Sequence, residues 1–476
     1  MTVQINIVAR IFNNKDLTQI LAIIIAGLAP ITTGILYAWS SPSILQIQKD
    51  NVTYHITDEE TSYFPILPPL GMVVGALFFN KITDIIGRKL TLLLVSVPHL
   101  ICWLIIYFAK NATAFFISRI IAGIGDAALF ASLPVYVGEI STPKVRGFWG
   151  NFNTFCHYGG QFLVTIIGSY LSVRKTAIVC SALPILFVLL FIQMPESPYY
   201  LIQKQKLDKA QKSLRWLREE DVNEEFQKMQ ADVARQISES GTWKDLFIIG
   251  SNRRALLAGV FLRFSQLLGG ISAFATNTQP IFQKAGGDFN PQLCSIIFLG
   301  LCFVLNFFGS AVVAKLGRKK SYIYSPLGCG LSLLTLSIYF ILDEHTTIDL
   351  SKFGMLPLVG MIIYMIFFSF GMGVVPTLML SELFSASIKG KALCIMNMVF
   401  GTALFVSNFI FKLMDSYIGL YAPFLVFAIS CLLTSVLSIY VVPETKGKTL
   451  EEIQQSLKSK SKPEIKSEKF NKIDLP

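Results

Sequence analysis

Apolar residues in this chain gather into long runs rather than into alternating or amphipathic patterns. Six such runs come first, over 17–39, 62–80, 90–109, 112–137, 148–171 and 177–193. A polar stretch, 194–252, separates them from six more, over 254–283, 291–314, 321–342, 353–380, 392–414 and 420–442. A bilayer core about 30 Å thick needs ~20 apolar residues in a helix, because lipid satisfies no open backbone group. The pattern therefore predicts an all-α membrane protein with twelve transmembrane helices in two six-helix bundles. The expected divisions are a tail (1–16), a first bundle (17–193), a polar loop (194–252), a second bundle (253–442) and a Lys/Glu-rich tail (443–476). Leu, Trp and Phe spacing around Trp216, Phe226 and Trp243 predicts short amphipathic helices in the loop.

Composition agrees: 53% of the 476 residues are hydrophobic, 15% are charged, and mean hydropathy is +0.57. The net charge of +11 raises nucleic acid as a partner. Position removes it, because the basic residues sit at the ends of apolar runs. With the N-terminus cytoplasmic, 32 of the 41 Lys and Arg residues fall on the cytoplasmic side and 7 outside. Leaving out the 11 of the long loop, counted through Arg254, the ratio is still 21 to 7. That asymmetry predicts both termini in the cytoplasm.

The two halves repeat. Gly87-Arg88-Lys89 returns 230 residues later as Gly317-Arg318-Lys319, Glu139 returns after 243 as Glu382, and Pro195-Glu196-Ser197 returns after 248 as Pro443-Glu444-Thr445. Each pair falls at the same step of a six-helix unit, the layout of a secondary transporter. Together with Asp84, Pro134-Val135-Tyr136-Val137-Gly138-Glu139, Arg146-Gly147, Pro195-Glu196-Ser197-Pro198, Pro376 and Pro443-Glu444-Thr445-Lys446-Gly447, these motifs closely resemble the sugar porter family of the major facilitator superfamily. The Pro-Glu-Ser-Pro-Tyr-Tyr form is most similar to the insect trehalose-transporting branch of that family. The resemblance covers roughly residues 17–455.

That resemblance implies a major facilitator fold and a cytoplasmic gate built from Asp84, Arg88, Glu139, Arg146, Glu196, Arg318, Glu382 and Glu444. Such a gate would hold the halves together while the outside is open and break on the swing inward. This chain departs from the family pattern twice. Ala314 stands where the second-half motif usually has an acid, and Lys389 stands where an Arg is usual. Lysine cannot form the bidentate carboxylate fork, so the second gate is expected to be looser.

A sugar site needs hydrogen-bonding side chains facing one cavity. By resemblance, the fifth-helix ligand position is Thr154, and the seventh-helix motif becomes Gln266-Leu267-Leu268-Gly269-Gly270-Ile271-Ser272. The eighth-helix Asn maps to Cys302, the tenth-helix Trp to Thr377, and the eleventh-helix polar positions to Phe400 and Leu404. Gln266 alone is carried over unchanged. Thr154, Ser272, Thr276, Asn277, Asn306 and Thr377 form the expected alternative lining, and each is also explained by small-residue helix packing.

Three charges lie deep within the apolar runs, away from their ends, Arg119, Asp126 and Arg263, where each needs a partner. Arg119 matches the family's fourth-helix Arg. Asp126 follows by seven residues, roughly 10.5 Å along the axis, and either neutralises Arg119 or Arg263 or couples protons. Proton-coupled members carry an acid in the first helix, and residues 17–39 have none. His157 reads as a hydrogen-bonded core histidine. The eight cysteines all fall in apolar runs, as packing residues. Asn51-Val52-Thr53 is a glycosylation sequon in the longest external loop, whereas Asn111-Ala112-Thr113 abuts the membrane and is expected to stay bare.

The sequence thus predicts a facilitative cell-membrane transporter of a sugar, trehalose or a hexose such as glucose, or a polyol, working by alternating access. A proton-coupled symporter centred on Asp126 and a non-transporting sugar sensor are the competing readings. No enzyme activity, cofactor, metal, nucleic acid or protein partner is expected, since no nucleophile–base pair, phosphate loop or metal cluster is visible.

Overall fold

The computed structural model describes residues 16–50, 52–149, 151–218, 222–238, 241–286, 290–347, 353–384, 387–446 and 452–453. Asn51 lies outside them. The described chain is helical, with no strand. Its twelve membrane helices form two halves of six. Ten are long and apolar enough to span a bilayer on those grounds alone. The fifth, Phe152–Tyr170, carries more polar positions, and the tenth is divided.

Several helices differ from the apolar runs for readable reasons. The first span continues past Trp39 to Lys49 through Ser40–Lys49. There Ser40, Ser41 and Ser43 are buried against protein, so hydropathy falls while the helix goes on. The second span is Leu67–Ile86, the third Arg88–Phe108, the fourth Ala112–Ile140 and the sixth Val173–Phe191. The seventh run, read as one helix over 254–283, is three: Gly250–Leu267, Ile271–Thr276 and Thr278–Lys284. Gly270 takes φ +89° at the break. The carbonyls freed there find donors, as lipid-buried backbone requires. Ser407 Oγ donates to Leu267 O at 2.8 Å and Tyr364 Oη to Gly269 O at 2.9 Å. The tenth run divides around Gly371, Gly373 and Pro376 into Leu356–Ser369 and Val375–Leu383. The eighth, ninth, eleventh and twelfth spans are Pro291–Leu316, Arg318–His345, Lys389–Tyr417 and Tyr421–Val441.

Large apolar residues such as Leu104, Leu189 and Leu433 are exposed on the bundle exterior, where lipid covers them. The buried apolar residues of the first half form two clusters, one around Tyr136 and Phe191 and one around Trp39 and Trp103. The second half has one, which takes in Met72, Ala76 and Ala127 of the first. The polar loop forms short helices, Pro198–Gln203, Leu207–Arg218, Asn223–Ser238 and Trp243–Ile248. Leu214, Met229 and Val233 are buried among them, while Trp216 and Trp243 are exposed. Arg218 Nη1 ties the loop to the end of the fourth span through Ile140 O at 3.0 Å. All eight cysteines are free, and all but Cys394 are buried.

Candidate functional site

The face where the second and eighth spans end carries the repeated charged motifs; it is called the motif face below, and its opposite the distal face. Gly87 closes the second span and opens the third at φ +103°, and Gly317 does the same between the eighth and ninth at φ +91°. Neither caps the following helix with a side chain. The cap comes from far along the chain. Glu196 accepts the Lys89 N–H at 3.0 Å, and Glu444 accepts those of Arg318 and Lys319 at 3.1 and 3.2 Å. A Cβ at Gly87 would collide with the Glu196 carboxylate, and one at Gly317 would stand 2.8 Å from Glu444 Oε2. Glycine is therefore required twice over, by conformation and by space.

Above these caps lie the ion pairs. Arg88, itself buried, turns its Nε and Nη2 to Glu139 at 3.1 Å each, and its Nη1 to Asp84 at 3.3 Å. Ser197 Oγ donates to Glu139 as well. In the second half Arg318 reaches Glu382 through Nη2 alone, at 2.8 Å, and its Nε is unpartnered. Thr445 repeats the Ser197 contact on Glu382. Each of these bonds lies within one half. Arg146 is exposed on the short helix Pro143–Trp149 and takes no part in the network. Outside the spans, the two capping acids differ in ionisation. Burial pushes the Glu196 carboxyl above its ordinary range. At Glu444 burial acts the same way, but the backbone N–H groups of Lys446, Arg318, Lys319 and Thr445 outweigh it and hold the carboxyl below.

A second polar group lies along the seventh span. Ser272 Oγ accepts from Tyr37 Oη at 2.7 Å and from Asn408 Nδ2 at 2.8 Å. Thr276 Oγ1 donates to Asn408 Oδ1 at 3.1 Å, and Asn277 Nδ2 donates to Thr276 Oγ1 at 3.2 Å. One break away, Gln266 Oε1 accepts from Arg263 Nη1 at 3.0 Å. The Arg263 guanidinium lies 4.8 Å from the centre of the Phe400 ring, which in turn meets Phe130 of the first half at 5.6 Å. Thr154 is half-buried and Thr377 exposed, away from the cluster's hydrogen bonds. Cys302 turns its thiol to Met365 Sδ, and Asn306 donates to the Cys302 carbonyl with its own oxygen unpartnered. His157 is packed by the Tyr37 and Phe130 rings, and its Nδ1 is unpartnered.

Asp126 corrects the sequence reading. It pairs with neither arginine but with His99 Nε2 of the third span, at 3.2 Å. Arg119 turns instead to Leu36 O at 3.0 Å, Cys102 Sγ at 3.1 Å and the Trp39 ring at 4.3 Å, with its Nε left without a partner. Tyr37, His99 and Asn408 are the residues that the sequence reading missed. Asn408 had a signal, since it follows Phe400 and Leu404 at four-residue steps on one helix face.

The halves pack along their length, with the Phe155 and Phe303 rings 4.3 Å apart and Asn397 Nδ2 3.4 Å from Phe130 O, but the short buried hydrogen bonds between them concentrate at the distal end. Beyond the Tyr37–Ser272 bond, Ser40 Oγ donates to Thr276 O at 3.0 Å, and Gln279 N–H to Ser41 Oγ at 3.0 Å. Gln279 Nε2 reaches Ser169 Oγ at 2.7 Å. These residues are buried. Toward the motif face the facing residues Phe130, Arg263, Asn397 and Phe400 remain partly exposed. Outside the distal closure lies a cavity of about 320 Å³ lined by the amides of Gln46, Gln279, Gln283, Asn290 and Gln292. Asn111 spends its side chain capping the fourth span, accepting the Ala114 N–H at 3.0 Å.

The model of the family described as "Sugar (and other) transporter" matches residues 28–457. The chain is 33% identical over 450 residues to the facilitated trehalose transporter Tret1 of Bombyx mori, covering 94% of this chain and 88% of that one. It is 33% identical over 448 residues to Tret1 of Polypedilum vanderplanki, covering 92% and 88%. Among solved structures, the proton:xylose symporter XylE bound to 6-bromo-6-deoxy-D-glucose superposes with a TM-score of 0.75 at 21% identity, covering 93% of this chain and 100% of that one. The inward open conformation of the xylose transporter XylE from E. coli gives 0.74 at 22%, covering 91% and 98%. With the same fold as these structures and relatives at a third identity over nearly its whole length, the chain belongs to the sugar transporter family.

Proposed function

We propose that the chain is a facilitative transporter of a sugar or sugar-derived polyhydroxy solute, working by alternating access in the cell membrane. The motif face and both termini are cytoplasmic on this reading. Trehalose, named in the relatives, and hexoses are the first substrates to try. The observation that carries the reading is the asymmetry of the buried hydrogen bonds between the halves: they cross at the distal end, while the facing residues nearer the motif face stay partly exposed. Both charged networks close within their own halves, so each half can move as a body. On this reading Gln266 and the Ser272–Thr276–Asn277 cluster are the substrate-binding residues, with Thr154 and Thr377 as outer members; their hydrogen-bonding side chains near the break in the seventh span support it. The pairing of Asp126 with His99 inside one half supports a structural role for that acid and favours facilitation over proton symport.

Counterflow of labelled trehalose and glucose in proteoliposomes, at symmetric neutral pH, tests this. Exchange of either sugar that is lost in Gln266→Ala supports it. Exchange that appears only under an imposed pH gradient would replace it with symport. No exchange under any condition, with binding retained, would replace it with a sensor.

A further inference from the structure

Arg263 is a membrane-interior cation that the protein leaves incompletely answered. It lies in the seventh span, just before the Gly269–Gly270 break, partly exposed between the halves. Its Nη1 donates to Gln266, and its face rests on the Phe400 ring. Among the described residues no carboxylate pairs with it, and its Nε is buried without a partner. Asp126 does not serve, because His99 holds it.

The other guanidiniums show what is missing. Arg88 turns its Nε and Nη2 edge to Glu139, and Arg218 turns the same edge to Glu225. Arg119 and Arg318, like Arg263, leave Nε without a partner, but Arg119 spends both terminal nitrogens on Leu36 O and Cys102 Sγ, and Arg318 gives its Nη2 to Glu382. Arg263 has its Nη1 engaged, while the Nε/Nη2 edge, which takes a carboxylate in two parallel hydrogen bonds, has no acceptor among the described residues, its Nε being buried. The ring face supplies part of a counter-charge and no hydrogen-bond acceptor. Gln266 adds to the imbalance. Its oxygen is taken by Arg263, so its remaining hydrogen-bonding group is the amide NH₂, a donor. The site thus presents donors from two side chains and a fixed positive charge.

We propose that this site receives a polyhydroxylated solute carrying a carboxylate, a sugar acid, with Arg263 as the anchor of the acid group. The proposal rests on the transport reading above and names its substrate class. A monoanion matches a single guanidinium. A phosphate dianion would leave net negative charge buried in the membrane, which is costly. The hydroxyls then meet the Ser272, Thr276 and Asn408 group beyond the helix break.

The test uses the full chain in proteoliposomes, with glucuronate and glucose competing for labelled exchange. Half-inhibition by glucuronate is expected at a concentration about tenfold or more below that for glucose. Arg263→Met is expected to bring the ratio of the two close to one, and Arg263→Lys, which keeps the charge without the fork, to restore part of it. Glucose exchange without any advantage for glucuronate overturns the inference and leaves the transport reading standing. Should neither solute exchange, the transport reading rests on trehalose alone, and thermal stabilisation of the detergent-solubilised wild type decides the inference by binding. Stabilisation by glucuronate at a concentration about tenfold below that of glucose sustains it. Equal stabilisation, or none, overturns it.

Discussion

Arg88 and Arg318 occupy the same step of the repeat and hold their acids differently. Arg88 is buried, forks onto Glu139 and has Asp84 one turn behind it. Arg318 is more exposed and holds Glu382 by one nitrogen, with Ala314 where Asp84 would stand. Below them, Glu196 is held toward its neutral form and Glu444 toward its charged form. One motif thus gives two mechanical characters: a first half tied through its ion pair, and a second half tied through its carboxylate cap.

The largest expected effect breaks the ion pairs. Arg88→Leu leaves a half-buried carboxylate with little beyond Ser197, and should cost about 3 kcal/mol of stability. Arg318→Leu removes one charge-assisted bond at a wetter site and should cost about 1–2 kcal/mol. Thermal unfolding of both variants in one detergent reads the difference, and equal losses would erase the proposed asymmetry.

The caps should rank the other way. Glu444→Gln is expected to cost about 1–2 kcal/mol at neutral pH, and Glu196→Gln less than half of that. The signs follow from the ionisation. Glu444 is held low, so its contribution is present above the ordinary carboxylate range and is lost as pH falls through its depressed value. Glu196 is held high, so its neutral form is favoured below the ordinary range, and that advantage disappears as pH rises through its raised value. The gap between the two variants should therefore narrow on acidification, as followed by melting curves across the carboxylate range.

The smallest effect sharpens the comparison. Ala314→Asp restores an acid four residues before Arg318 and should add about 0.3–0.5 kcal/mol, while Asp84→Ala should remove a similar amount. A stabilisation by Ala314→Asp that vanishes in the Arg318→Leu background would assign it to the pair.

Much of this architecture was legible in the sequence because lipid allows few solutions: twelve runs, their alternation and the Gly-Arg-Lys turns follow from hydropathy and spacing. The breaks were less so. Residues 254–283 stay apolar through Gly269–Gly270, so the run carries no sign that Tyr364 and Ser407 stand ready to satisfy an opened helix. The polar continuation to Lys49 was hidden for the opposite reason, since its serines are buried by the second half and not by lipid. Within the site, neighbours along one helix could be read from spacing, but partners across helices could not. That is why Asp126 was compared with Arg119 on its own helix, while His99, its partner on the third span, went unseen. Gln266 could be singled out as a candidate from its motif, whereas the Arg263 bond that fixes its orientation could not.

The caps carried by Glu196 and Glu444 also have a meaning for assembly. The third and ninth helices begin at glycines that provide no cap of their own, and the groups that complete them are made 107 and 125 or more residues later. A nascent chain emerging into the membrane thus holds each of these helix starts unfinished until its sixth or twelfth span has been inserted. Each half closes on itself only when its last helix arrives, so synthesis order and structural completion coincide bundle by bundle.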